Sequence, residues 1–199
     1  MDNRRIAGLL NEAADALVPL ANPELLKQLT AIPDQGDVKV EGVAGSLVRE
    51  IVTPAGKIVV GGKRDNTYSL DQMKDVNVVI DLGGDDTYLE GTCNVERPVL
   101  IVIDLAGNDT YRGSNPGIQG GAILGASMWI DREGNDTYRA SDLAQGSCVG
   151  GVGILIDYAG DDRYLGVRRV QGQAVGGLGM LLDRQGNDDY HGAMWAQGF

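Results

Sequence analysis

Ten aspartates recur at two fixed positions of this 199-residue chain. Asp81, Asp104, Asp131, Asp157 and Asp183 each close an apolar run, and Asp86, Asp109, Asp136, Asp162 and Asp188 stand five residues later. A third, mixed position lies just before the second set: Asp85, Asn108, Asn135, Asp161 and Asn187. Carboxylates with carbonyls are the hard oxygen donors that Ca²⁺ takes, so all ten aspartates are candidate metal ligands. If equivalent residues stack one strand spacing apart, about 4.8 Å, each ionised neighbour costs roughly 3–4 kcal/mol at an effective dielectric near 20. Asx side chains accepting N–H bonds in their own turns can offset that repulsion. So can a cation between the layers, or a raised pKa at alternate aspartates.

The spacing shows what must position these carboxylates. Gaps between successive Asp of the first set are 23, 27, 26 and 26 residues. Gly follows three positions later (84, 107, 134, 160, 186) and Tyr seven later (88, 111, 138, 164, 190). Gln-Gly pairs at 119, 145, 171 and 197 keep the same phase, and an eroded first copy places Tyr68 twenty residues before Tyr88. Such regularity means a solenoid. Each unit holds three short strand-like stretches and no helical periodicity. The expected fold is an all-β, right-handed parallel β-helix of five to six rungs over 37–199, with clear repeats over 76–199.

Period-two alternation assigns faces. The columns one and three residues before each Asp, such as Ile80 with Val78 and Ile130 with Met128, are expected inside, and so is the Tyr column. Cys148 aligns with Ala122 and Ala174 and reads as a small core residue. The column two before each Asp (Val79, Val102, Trp129, Leu155, Leu181) is then turned outward. An apolar stripe there calls for a cover, from a second copy of the chain or from the N-terminal segment.

The ends differ in character. Ile6, Leu9, Leu10, Ala13 and Leu17 fall at helical spacing and a second helix starts at Asn22-Pro23, so residues 1–36 are expected to form a small helical cap. Residues 37–60 alternate like strands that could enter the first rung. The last residues, "MWAQGF", leave the solenoid with an open edge that could also pair with a partner.

The stretches "GGDDTYLEG" and "GNDTYRG" resemble the glycine- and aspartate-rich nonapeptide of the RTX (haemolysin-type) calcium-binding repeats. The resemblance implies a parallel β-roll with Ca²⁺ between successive turns, in a secreted protein. It places Asp86, Asp109, Asp136, Asp162 and Asp188 at the ligand position and Gly84, Gly107, Gly134, Gly160 and Gly186 at a turn glycine. The chain departs from that family in carrying one motif per 26 residues rather than tandem nonapeptides, and its leading Gly-Gly survives only at Gly83-Gly84.

Composition narrows the function. With 30 Gly but only one Phe and two Trp, the core is expected to be thin. A net charge of −11 argues against nucleic acid and anionic membranes and favours cations as partners. No apolar segment long enough to insert in a membrane is evident, nor is a signal peptide. Arg112, Arg139, Arg132 and Arg184 flank the Asp columns as in carbohydrate-active β-helices, yet nothing in the repeat singles out one rung. His191 aligns with Arg139 and reads as a surface residue, and no nucleophile elbow, P-loop or zinc spacing occurs. The expected function is a non-enzymatic structural or binding β-solenoid of the cell envelope or exterior, with calcium at the acidic turns. The alternative is a polysaccharide lyase or hydrolase with a carbohydrate partner.

Overall fold

The structure, a computed structural model, describes residues 38–198 together with Glu24, Lys27, Gln28 and 31–33. The chain divides into two units, Met1–Pro33 and Asp34–Phe199. In the first, Glu24, Lys27 and Gln28 are helical, and the rest of the helices expected there lies outside the described residues.

The second unit is an all-β solenoid of about five turns. One sheet stacks β3 (Gly56–Gly61) on the five strands that end in the first Asp column: β5 (Val76–Asp81), β7 (Val99–Asp104), β10 (Ala126–Asp131), β13 (Val152–Asp157) and β16 (Leu178–Asp183). The second stacks the strands that carry Tyr: β4 (Thr67–Ser69), β6 (Thr87–Leu89), β8 (Thr110–Arg112), β11 (Thr137–Asp142), β14 (Arg163–Val170) and β17 (Asp189–Ala196). A third sheet has only three two-residue strands, β9 (Ala122–Ile123), β12 (Cys148–Val149) and β15 (Ala174–Val175). The pairings are parallel and in register, Asp81 on Asp104, Asp131 on Asp157, and Tyr68 through Tyr190 in one file.

Residues 43–53 enter the first turn, but in the reverse direction. β1 (Val43–Ala44) and β2 (Leu47–Thr53) pair antiparallel with β4 and β3. The described fold therefore covers the first edge with its own chain, which otherwise would present a row of unpaired N–H and C=O groups.

The assignment of faces is corrected on the first sheet. Val79, Val102, Trp129 and Leu155, expected outside, are at most 1% exposed and form the core. Trp129 packs edge-on to the Tyr111 ring at 5.6 Å. Ile80, Ile130 and Ile156 occupy the opposite face and are half-buried, with Ile103 buried there. The stripe thus has its cover inside the solenoid and offers no surface for self-association. The Tyr column is inward as expected. Rings of Tyr68, Tyr88, Tyr111, Tyr138, Tyr164 and Tyr190 stack at 4.5–5.0 Å, and Cys148 is fully buried.

Candidate metal centre

Once Val79 and its equivalents point inward, alternation carries the Asp two residues later inward as well. Asp81, Asp104, Asp131 and Asp157 are at most 1% exposed. A buried Tyr hydroxyl needs a partner, and this column supplies it from the following turn. Tyr88 donates to Asp104 (2.5 Å) and Tyr138 to Asp157 (2.8 Å), and Tyr68 and Tyr111 donate to Asp81 and Asp131 in the same way. At the last described turn the pattern shifts. Tyr190 donates to Asp183 of its own turn (2.6 Å), and the Tyr164 hydroxyl has no hydrogen-bond partner.

The second column is equally buried, with Asp86, Asp109, Asp136 and Asp162 at 1–2% exposure. One oxygen of each accepts the backbone N–H of the equivalent residue one turn earlier: Asn66 to Asp86, Asp86 to Asp109, Asp109 to Asp136 (each 2.6 Å), and Asp136 to Asp162 (2.7 Å). The exposed Asx file works in the opposite direction. Asp85, Asn108, Asn135 and Asp161 accept N–H groups from the turn that follows, at 2.8–3.0 Å. The Asx bonds thus clamp neighbouring turns together, whereas bonds within a turn are made by Asp81 to Gly83 and by Asp104 to Ala106. The Gly column permits this closeness. A Cβ on Gly134 would lie 1.7 Å from the Gly107 carbonyl oxygen, and one on Gly160 1.6 Å from that of Gly134.

These bonds leave oxygens over. Oδ2 of Asp86, Asp109, Asp136 and Asp162, and Oδ1 of Asp131, Asp157 and Asp183, are buried and meet no N–H or hydroxyl donor. The two carboxyls of a turn, as in Asp131 with Asp136 and Asp157 with Asp162, lie close enough to share a proton. All ten predicted aspartates come together in four groups whose oxygens lie within 4.8 Å of one another. The groups are Asp81–Asp86–Asp104, Asp109–Asp131–Asp136, Asp136–Asp157–Asp162 and Asp162–Asp183–Asp188, so Asp136 and Asp162 each belong to two.

Burial, reinforced by neighbouring carboxylates, pushes the Asp86 carboxyl up to about 10, Asp162 to about 8, and Asp109 and Asp136 to about 7. Asp104 and Asp131 are raised for the same reasons. Isolated carboxylates desolvated this far are strongly unfavourable unless a proton or a cation joins them. Where all three carboxylates keep a spare oxygen, as in Asp109–Asp131–Asp136 and Asp136–Asp157–Asp162, the group suits a hard cation of Ca²⁺ size, which takes six to eight oxygen ligands. One divalent ion for each pair of column aspartates would neutralise a turn.

Two participants escaped sequence reasoning. Asn66, in the eroded copy, ends the file as a neutral residue: its Nδ2 donates to Asp81 at 3.0 Å. The alignment of Tyr68 with Tyr88 was the signal that could have placed it in the column. Gln119, Gln145 and Gln171 of the Gln-Gly pairs brace the Tyr strands, as Gln119 Nε2 donates to the carbonyls of Tyr111 (3.1 Å) and Arg139 (2.9 Å). No protein-family model, curated protein or solved structure matches the chain.

Proposed function

We propose that this chain is a non-enzymatic structural or binding module of the cell envelope or exterior, and that its interior aspartate columns hold Ca²⁺. On this reading the solenoid winds right-handed, the usual hand for parallel crossovers. The observation that carries the metal assignment is the set of buried carboxylate oxygens without a donor. An RTX-like calcium repeat is consistent with it, with one difference: the first Asp column, absent from that motif, joins every group. An extracellular setting follows from the ion, because free Ca²⁺ is abundant there. Catalysis by the columns has less support, since their carboxylates repeat turn after turn and are closed off in the core.

Thermal unfolding followed by circular dichroism tests this, after EGTA treatment, with Ca²⁺ added back and Mg²⁺ as control. Ca²⁺ at a hundred times its Kd, bound only to the folded state, adds about 2.7 kcal/mol per site. For a unit of this size that raises Tm by roughly 5–10 °C. Equal curves with and without Ca²⁺, or an equal rise with Mg²⁺, would refute the assignment.

A further inference from the structure

One region of the outer surface breaks the repeat. Two residues after Tyr, every later turn has a small residue (Gly113, Ala140, Gly166, Gly192), whereas the turn of Tyr88 has Glu90. Glu90 has φ 61°, a left-handed backbone that costs energy in a residue with a Cβ and that clusters at functional sites. Its carboxylate accepts the N–H groups of Ser114 and Asn115 at 3.0–3.1 Å. Beside it Asp71 accepts from Thr92 N (2.7 Å), Thr92 Oγ1 (2.8 Å), Asn115 Nδ2 (3.0 Å) and Arg97 Nη2 (2.8 Å). Arg97 is itself 9% exposed and also donates to the carbonyls of Leu70 (2.7 Å) and Thr92 (2.9 Å). Of this network, Asp71, Glu90 and Ser114 line an open concavity of about 470 Å³.

Arg112 and Arg139 form its other wall. They are register partners on β8 and β11, both exposed. Like charges directly opposite each other are unfavourable, and neither has an ion-pair partner among the described residues. The other arginines of the repeats are all engaged: Arg97 with Asp71, Arg163 with Asp189, Arg168 and Arg169 with Asp142, Arg132 and Arg184 over the Tyr158 ring. Two unpaired guanidiniums side by side, in a chain with an excess of acids, form a vacant receptor for an anion.

We propose that this concavity binds an acidic saccharide, with Arg112 and Arg139 taking a carboxylate of the sugar. Ser69, Gln72, Glu90 and Ser114 offer donors and acceptors for its hydroxyl groups. The open shape suits a chain rather than an enclosed small molecule. The formal charge of −11 does not oppose this as strongly as its size suggests. The column aspartates number ten, eight of them at most 2% exposed, and they face the core. At physiological ionic strength, moreover, surface charges beyond about 8 Å are screened.

Isothermal titration of the whole chain with an oligogalacturonate tests the proposal, alongside a neutral maltooligosaccharide of equal length and inorganic phosphate. Oligogalacturonate should bind with Kd of about 1 mM or tighter, weaken with salt, and bind at least about tenfold less well to the Arg112→Ala/Arg139→Ala double variant. Arg163→Ala, an exposed arginine of the same sheet, should bind as the parent does. Circular dichroism melts establish that each variant is folded, and both substitutions are on the surface. The proposal is overturned if oligogalacturonate does not bind, if the double variant binds it equally, or if the neutral sugar or phosphate binds as tightly. None of these results depends on Ca²⁺ in the core, so the metal assignment stands or falls separately.

Discussion

Replacing Asp136 by Asn should change stability in opposite directions with and without Ca²⁺. Asp136 is 1% exposed and shared by two of the four carboxylate groups. Its Oδ1 accepts the Asp109 N–H at 2.6 Å, and its Oδ2 has no donor. An Asn keeps the first contact and turns a neutral amide toward the neighbouring carboxylates. Burial raises the Asp136 carboxyl from 3.8 to about 7. Ionising it in the metal-free fold at pH 8 therefore costs about 4 kcal/mol relative to the unfolded chain, at 1.36 kcal/mol per unit. Asp136→Asn removes that cost, so in EGTA the variant should be more stable by about 2–4 kcal/mol. With Ca²⁺ saturating, two groups lose an anionic ligand. Losing both sites, each filled at a hundred times Kd, takes away about 5.4 kcal/mol, more than the roughly 2–4 kcal/mol gained, and the variant should then be the less stable protein. Urea unfolding at 25 °C and pH 8, followed by circular dichroism, reads both differences, provided the m-values agree. A variant that shifts stability the same way in EGTA and in Ca²⁺ would refute the reasoning, because the column would then hold no exchangeable positive charge.

Two further outcomes follow. In EGTA, stability should fall as pH rises. The column carboxyls have folded pKa values above the unfolded value of 3.8, so their contribution is intact below about 4. It is lost as pH climbs through about 7 for Asp109 and Asp136 and about 8 for Asp162. Melting temperatures from pH 4 to 9 check this, and a rise with pH in EGTA would contradict it. Separately, Trp129→Ala should cost about 3–5 kcal/mol and Ile130→Ala clearly less, since Trp129 is 1% exposed and Ile130 half-buried on the other face. Urea midpoints decide it, and the reverse order would restore the face assignment made from sequence.

Period, strand positions and the Tyr file were legible in the sequence because each follows from spacing alone. The in-register pairs Thr87–Thr110–Thr137 and Ala122–Cys148–Ala174 follow directly from the repeat spacing, 23 and 27 residues in the first and 26 in the second. The faces of the first sheet were not legible. Its strands are apolar at successive positions, as in "MWID" and "ILID" (Met128–Asp131 and Ile154–Asp157), so period two cannot choose between them. Placing the columns one and three before each Asp inside turned Asp outward, and a buried Asp paired to a Tyr reverses it. The constancy of Tyr was the available clue, because a stacked, buried Tyr file needs acceptors and the first Asp column matches it turn for turn. The groove was out of reach for another reason. Asp71, Glu90 and Arg97 have no counterpart in the other turns, and only the fold brings residues 21 to 44 positions apart into one network.

The reversed strand at the start of the solenoid bears on how the chain can fold. β2 returns on β3 through a two-residue connection between Thr53 and Gly56, whereas the other strand pairings join residues 19 to 27 positions apart. A hairpin of that kind forms in microseconds and closes a shorter loop, at a smaller entropy cost, than any full turn does. It then offers β5 a ready template, and each completed coil does the same for the next as the polypeptide leaves the ribosome. Contact order stays fixed however many coils are added, so a longer array of such repeats need not fold by a slower route than a short one.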